Sequence, residues 1–354
     1  MRKRISKIGA SDVLTKLVDH NYIEAFHLYK RTLKDSAGNV VATFIADPSQ
    51  DDHIVSEGQA YWMILSARLA HIKESQNNFD ALIDGFLQMV ALSQHDLSAW
   101  EVIIKKNKLI LPGKYSTHSA SDADLDFIMA FIYAQENIEK GIWKKSKKYN
   151  YDELIRQFIP RIQHLFHRID PDNEKNKTVV LSPSNQWSLD WYFIDYHAPQ
   201  TCFEIARYCS DSDFWQNAGM SCFQVLYNVI ADTKNIPARA SITKDISITQ
   251  IERQGWDGIR GPHRLAAGLP YITLTAKQKK IIKAYLHQWD SLFTERILDA
   301  AMYLNLAVRL EDDIVQDLLQ ELSLSNKQIY PDMNRYYPST LILWSLVELL
   351  YPRT

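Results

Sequence analysis

The stretch Ala120-Ser121-Asp122-Ala123-Asp124-Leu125-Asp126 sets acidic residues where a loop meets the start of an apolar, helix-like run. Two other segments, far apart in the chain, do the same: Ser56-Glu57-Gly58-Gln59-Ala60-Tyr61 and Gly255-Trp256-Asp257-Gly258-Ile259-Arg260. In a chain dominated by helical periodicity, this pattern has several helices delivering carboxylates to one cleft. Hydrolysis of a glycosidic bond needs such a pair, one acting as acid and one as base. Any one segment alone reads better as a helix cap, because Asp and Ser at helix starts satisfy free backbone N–H groups. Three together, in this order, favour the cleft.

Working outward, the apolar spacing predicts helices over roughly 12–33, 57–73, 79–92, 122–139, 151–167, 200–209, 214–233, 257–269, 276–289, 293–309, 312–322 and 339–350. Short extended pieces fit 40–44, 102–104, 109–111 and 178–181. No Pro/Gly/Ser-rich linker or shift in composition interrupts them. The 354 residues, 46% of them hydrophobic, therefore read as a single domain over 1–354.

Several function classes fall away. A net charge of −2 gives no reason to expect a nucleic-acid partner. The run Lys144-Lys145-Ser146-Lys147-Lys148 reads as a solvated loop between helices. No window is long and apolar enough to span a membrane. Met1-Arg2-Lys3-Arg4 is basic, but the next residues lack the apolar core of a signal peptide. Location therefore stays open between the cytoplasm, another export route and a replaced leader. The three cysteines, Cys202, Cys209 and Cys222, cannot all pair, and Cys202 and Cys209 lie at helical spacing, so buried reduced thiols are expected. His164 and His167 are spaced for one helix face, without a third ligand or a His-Glu-x-x-His motif. No Gly-rich phosphate loop or Gly-x-Ser-x-Gly elbow occurs. Neither a cofactor nor a catalytic metal is expected, and the chain reads as a monomer.

The three acidic segments resemble those of glycoside hydrolase family 8, which includes endoglucanases, the cellulases of bacterial cellulose synthesis, chitosanases, lichenases and xylan-active enzymes. Ser56 to Met63 is similar to that family's Ser-Glu-Gly-Gln-x-Tyr-Gly-Met. The stretch 120–126 is similar to Ala-Ser/Thr-Asp-Ala/Gly-Asp-Leu-Asp, the most specific of the three. Trp256 to Pro262 is similar to Tyr-Asp-Ala-x-Arg-x-Pro. Weaker echoes are Trp100-Glu101-Val102, Tyr196-His197-Ala198-Pro199 and Arg335-Tyr336-Tyr337, so the resemblance runs from about Tyr29 to Tyr337. It implies an all-α fold, the (α/α)6 barrel, a double ring of about twelve helices with short extended segments in the cleft-side loops. The helix count agrees with this. The ring closure rests on the resemblance, since no sequence repeat is visible.

Carried over residue by residue, the resemblance makes Glu57 the proton donor and Asp257 the base that deprotonates the attacking water. Asp122 becomes a carboxylate that holds the sugar. Arg260, three residues after Asp257, is expected to orient or ionise that base. Tyr196 matches a tyrosine near the water and the scissile sugar. Trp100 is the first candidate for stacking on a sugar face, with Tyr337 and Tyr336 weaker. Tyr61 and Trp62 are expected to desolvate Glu57. Asp124 is a substrate-binding candidate whose preferred reading is loop support, and Asp126 reads as support. Trp191, Trp215 and Trp344 read as packing residues. Two departures matter: Trp62 stands where the family has glycine, and Gly258 and Gly261 replace larger residues. Trp62 either packs beneath the cleft or blocks a sugar subsite. The expected function is an inverting hydrolase that cuts β-1,4-glucan internally. The alternatives are a chitosanase or xylan-active relative, or a non-catalytic glycan-binding protein on the same scaffold.

Overall fold

Among the described residues, helices that bury nearly every side chain alternate along the chain with helices that bury one face. The structure, a computed structural model, describes residues 11–173, 177–186, 191–252, 256–289, 296–324 and 334–351. Within these, α1 is Ser11–Tyr29, α2 Ser56–Arg68, α3 Ser75–Ser93, α4 Ser121–Glu139, α5 Tyr151–Gln163 and α6 Pro199–Ile205. They continue with α7 Ser212–Thr233, α8 Gly261–Gly268, α9 Ala276–Leu286, α10 Arg296–Leu310, α11 Val315–Leu324 and α12 Tyr336–Leu350.

Helix α4 is buried on all sides from Ser121 to Ala134, as expected of a helix apolar all round. Helix α5 instead buries Leu154, Ile155, Phe158, Ile159 and Ile162, one stripe at 3.6-residue spacing. The even-numbered helices form a ring: α2 packs on α4, α4 on α6, α6 on α8, α8 on α10, α10 on α12, and α12 returns to α2. The odd-numbered helices pack outside, each against an inner neighbour. This is the (α/α)6 barrel.

Short antiparallel strands lie between the helices. β1 (Lys30–Lys34) pairs with β2 (Val40–Ile45), and β3 (His53–Val55), β4 (Glu101–Lys105) and β5 (Lys108–Ile110) form one sheet. β6 (Phe166–Arg168) pairs with β7 (Val179–Leu181), while β8 (Tyr192–Phe193), β9 (Arg239–Ile242) and β10 (Ile248–Gln250) form another sheet. Strand β3 runs directly into α2, and β8 runs through the 3-10 turn Ile194–Tyr196 towards α6. Strands thus fix how the chain enters the inner helices.

Some expectations need correction. The first helix ends at Tyr29, because Lys30–Lys34 pairs with β2 instead. The helix expected over 151–167 ends at Gln163, and Phe166–Arg168 pairs with β7. His164 and His167 therefore do not share a helix, and His167 bonds Tyr192 at 3.0 Å. Cys209 lies beyond the end of α6 and so does not share a helix with Cys202. Cys202 and Cys222 are free, buried thiols with Sγ atoms 4.0 Å apart between α6 and α7. The basic run does form the α4–α5 connection, where Lys148 pairs with Asp84. Trp191 precedes β8, outside any helix, with the Arg239 guanidinium 4.4 Å from its ring. Gly255 and residues 293–295 of the expected elements lie outside the described residues. No helix among the described residues is long and apolar enough to cross a membrane.

Candidate active site

The first acidic segment is locked in place on three sides. The amide of Ser56 donates to Trp100 O at 2.8 Å, and Val55 pairs with Glu101. Gln59, fully buried, accepts from Ile45 N (3.0 Å) and donates to Thr43 O (3.1 Å) and Leu82 O (2.9 Å), tying α2 to β2 and α3. Gly58 leaves room for the Tyr336 hydroxyl, which a Cβ would strike. The acids are not caps: the N-cap positions of α2 and α4 are Val55 and Ala120, and neither makes a side-chain cap bond. Glu57 and Asp122 sit instead in the first turns, where the helix dipole favours negative charge.

Arg260 gathers the rest. It is 0% exposed. Its Nε donates to Asp195 Oδ2 at 2.8 Å, and its Nη1 donates to Asp122 Oδ2 at 2.5 Å and to Tyr61 Oη at 2.7 Å. Glu57 Oε1 lies 3.7 Å from the same Nη1. The Tyr196 ring lies 5.3 Å from the guanidinium carbon. Arg264 makes a separate two-pronged pair with Asp126, at 2.5 and 2.6 Å. The pairing of Arg260 with Asp122 and Asp195 corrects the expectation that it serves Asp257. Residues 257–260 form a turn before α8, so the helical i, i+3 relation between Asp257 and Arg260 does not apply. Gly261 starts that helix against Ile236, which a Cβ would overlap.

The buried setting moves Glu57, Asp122 and Asp195 in one direction. Burial raises Glu57 above the usual carboxylate range; Arg260 opposes this, and Asp257 and Asp195 add to it by like-charge repulsion. Burial also raises Asp122 and Asp195, each against the pull of Arg260. Asp122 Oδ1, Asp195 Oδ1 and Arg260 Nη2 have no hydrogen-bond partner. These three buried polar atoms are grouped around one guanidinium.

Glu57 and Asp257 open into one cleft of about 530 Å³. Trp100, Trp256, Tyr336 and Tyr337 wall it. Trp100 is fixed by its Nε1–H, which donates to Tyr115 O at 3.1 Å, and Trp256 meets Tyr337 edge-on at 5.6 Å. Apolar ring faces with polar tips suit the C–H faces and hydroxyls of sugars. Asp122, Tyr61, Tyr196 and Arg260 are buried and do not line the cleft; they support it from within. Asp124 is 2% exposed, faces Ser98 Oγ at 3.4 Å, and is pushed up to about 7 by burial. It joins neither the cleft nor Arg260, and its place agrees with loop support. Trp62, on α2, is sealed against α1 and α12, stacked on Tyr22 at 5.7 Å and bonded to Thr340. It does not line the cleft.

Asp195 and Trp256 belong to this site although the sequence pattern assigns neither a role. Asp195 immediately precedes the segment beginning at Tyr196, so the signal was one residue away. Trp256 lies inside the third segment, where only Asp257 and Arg260 carry expected roles. Among the described residues, His287, Asp312 and Asp313 group in a manner suited to a metal, but Asp312 is already held by Lys283 (2.8 Å) and His287 (2.9 Å), far from this cleft in the fold.

No family model and no curated protein matches the sequence. Solved structures do match it in shape. A cold-adapted family 8 xylanase superposes with a TM-score of 0.75 at 15% identity, over 99% of this chain and 95% of that one. A β-1,3-1,4-glucanase from Paenibacillus sp. X4 gives 0.74 at 13%, over 97% and 93%. A reducing-end-xylose releasing exo-oligoxylanase, complexed with xylose, gives 0.73 at 13%, over 96% and 93%. Likeness at such low identity is likeness of fold, and in fold the chain is the (α/α)6 barrel of the family 8 glycoside hydrolases.

Proposed function

We propose that the chain is an inverting family 8 glycoside hydrolase, with Glu57 as general acid and Asp257 as general base. The observation that carries this reading is the shared cleft: Glu57, whose carboxyl burial shifts upward, and Asp257 open into it together, between aromatic walls. Water attacks the anomeric carbon from the face opposite the leaving oxygen. The glycosidic C–O bond breaks, Glu57 gives its proton to the leaving oxygen, and the water's proton passes to Asp257. An inverting pair stands roughly 6.5–9.5 Å apart to admit that water. Asp122 and Tyr61 act through Arg260, which they bond 3.7 Å from Glu57. Trp100, Trp256 and Tyr337 hold the sugar rings.

The substrate we favour is β-1,4-linked glucan cut internally, because Ser-Glu-Gly-Gln is the form of the first segment in the cellulases of bacterial cellulose synthesis. Xylan is the second reading, favoured by the names of two of the three structures above. A non-catalytic binding role loses its motive, since Trp62 leaves the cleft free. Reducing-end release from carboxymethylcellulose, lichenan, chitosan and xylan separates these readings. Glu57→Gln should lose about 10²–10⁴-fold in kcat on whichever polymer the wild type cleaves. Early products should carry the α configuration by proton NMR; β products would end the inverting assignment.

A further inference from the structure

Asp195 contributes a second negative charge to a guanidinium that already has Asp122. Both carboxylates are 0% exposed, as is Arg260. The three make a unit in which one positive charge faces two negative ones, with Glu57 at 3.7 Å as the next claimant on the same Nη1. That distance is outside hydrogen-bond range. Were Arg260 free to turn to Glu57, it would hold that carboxyl as an anion, and an anion cannot donate a proton.

We propose that Asp195 is a positioning residue that keeps the proton on Glu57, by occupying Arg260 through Nε and cancelling its charge. This rests on the reading of Glu57 as the acid and names a residue that neither the family resemblance nor the proposed mechanism assigns. Other groups face Glu57 as well. Asp257 approaches from the turn before α8, Asp122 from α4, and Tyr196 from the 3-10 turn. Tyr336 and Tyr337 stand on α12, Tyr61 lies one turn along α2, and Asp47 and His53 line the cleft near β3. Among these, Asp195 and Asp122 alone bond Arg260 through carboxylates. Asp195 is the one with no part in the expected chemistry.

The discriminating variant is Asp195→Asn, which keeps an acceptor for Arg260 Nε and removes only the charge. Glu57 is then titrated directly by carbon-detected NMR of ¹³C-carboxyl-labelled glutamate, its signal identified by loss in Glu57→Gln. Loss of a nearby buried negative charge should lower the Glu57 midpoint by about one pH unit or more. If the protein hydrolyses glycans, the alkaline limb of kcat/KM should move down by the same amount, and Asp195→Glu should restore it. An unchanged Glu57 midpoint in folded Asp195→Asn overturns the proposal. Should that variant fail to fold, Asp195→Ser serves the same titration, with an oxygen retained and the charge lost. The NMR midpoint does not depend on turnover. A shifted midpoint with every polymer left intact would therefore count against the hydrolase reading while the effect of Asp195 on the Glu57 proton stands.

Discussion

Asp299 is a carboxyl whose proton affinity is raised by burial. It lies in the first turn of α10, is 1% exposed, and its Oδ1 has no hydrogen-bond partner. Desolvation pushes it up to about 8, from an ordinary value of 3.8. The sign follows from proton counting. Between roughly pH 4 and 8 the folded chain keeps a proton that the unfolded chain releases, so this group makes stability fall as pH rises through that window. Asp299→Asn has no proton to keep. Its midpoint in denaturant should exceed that of the wild type by more at pH 8 than at pH 5, the gap widening on the order of 2–4 kcal/mol. Parallel curves for the two proteins would show that Asp299 is ionised when folded. The reading of the sequence passed over this residue because nothing around Leu298-Asp299-Ala300 marks its carboxyl as buried. That information lies in the packing of α10 against α8 and α12, which is not local.

At the scale of elements, the ring closes where α12 meets α2, and the contact is as tight as a glycine allows. The Tyr336 hydroxyl points at Gly58 with no hydrogen-bond partner of its own. Gly58→Ala gains up to ~1 kcal/mol of helix propensity but drives a methyl group into that oxygen. Overpacking of this kind costs about 1–3 kcal/mol, so a net loss is expected in thermal or chemical unfolding. Tyr336→Phe removes the oxygen and leaves ring carbon Cζ 3.1 Å from the added Cβ, a contact that a small shift accommodates. The double variant should therefore recover most of the loss, with a coupling of about 0.5–3 kcal/mol. Additive effects would mean that the hydroxyl is not what excludes alanine. The helices themselves were legible, because apolar spacing alone marks α3, α4, α7 and α12 close to their observed bounds. Lys30–Lys34 and Phe166–Arg168 were not, since each continues an apolar helical pattern and becomes a strand only through a distant partner, β2 or β7. The acids Glu57, Asp122 and Asp257 were visible as repeated loop-to-helix signals. The gathering of Asp122 and Asp195 on Arg260 was not, because Asp195 and Asp122 lie 65 and 138 residues from it in the chain.

The whole molecule is a ring in which the entrances to the inner helices hold the candidate site. Glu57 and Asp122 sit in first turns, Asp195 and Asp257 in the turns before α6 and α8, and Tyr336 and Tyr337 at the start of α12. Below them, Trp344 of α12 joins three inner helices. It stacks on Tyr61 of α2 at 4.8 Å, lies 4.0 Å from the His263 ring of α8, and receives the Arg264 guanidinium at 5.1 Å. Tyr61 in turn accepts from Arg260, so one stack runs from the barrel's interior to the candidate acid. Two variants separate support from stability. Trp344→Ala should lose about 3–5 kcal/mol. A ring without a free edge has no segment able to melt alone, so the loss should appear as one shifted transition. Tyr61→Phe keeps the stack and removes a single buried hydrogen bond, costing about 1 kcal/mol of stability, yet it releases Arg260 Nη1 from one of its holders. Its larger effect should fall on the titration of Glu57 rather than on unfolding. A Tyr61→Phe protein whose Glu57 titrates as in the wild type would show that the stack ends at Tyr61, with Arg260 fixed by its carboxylates alone.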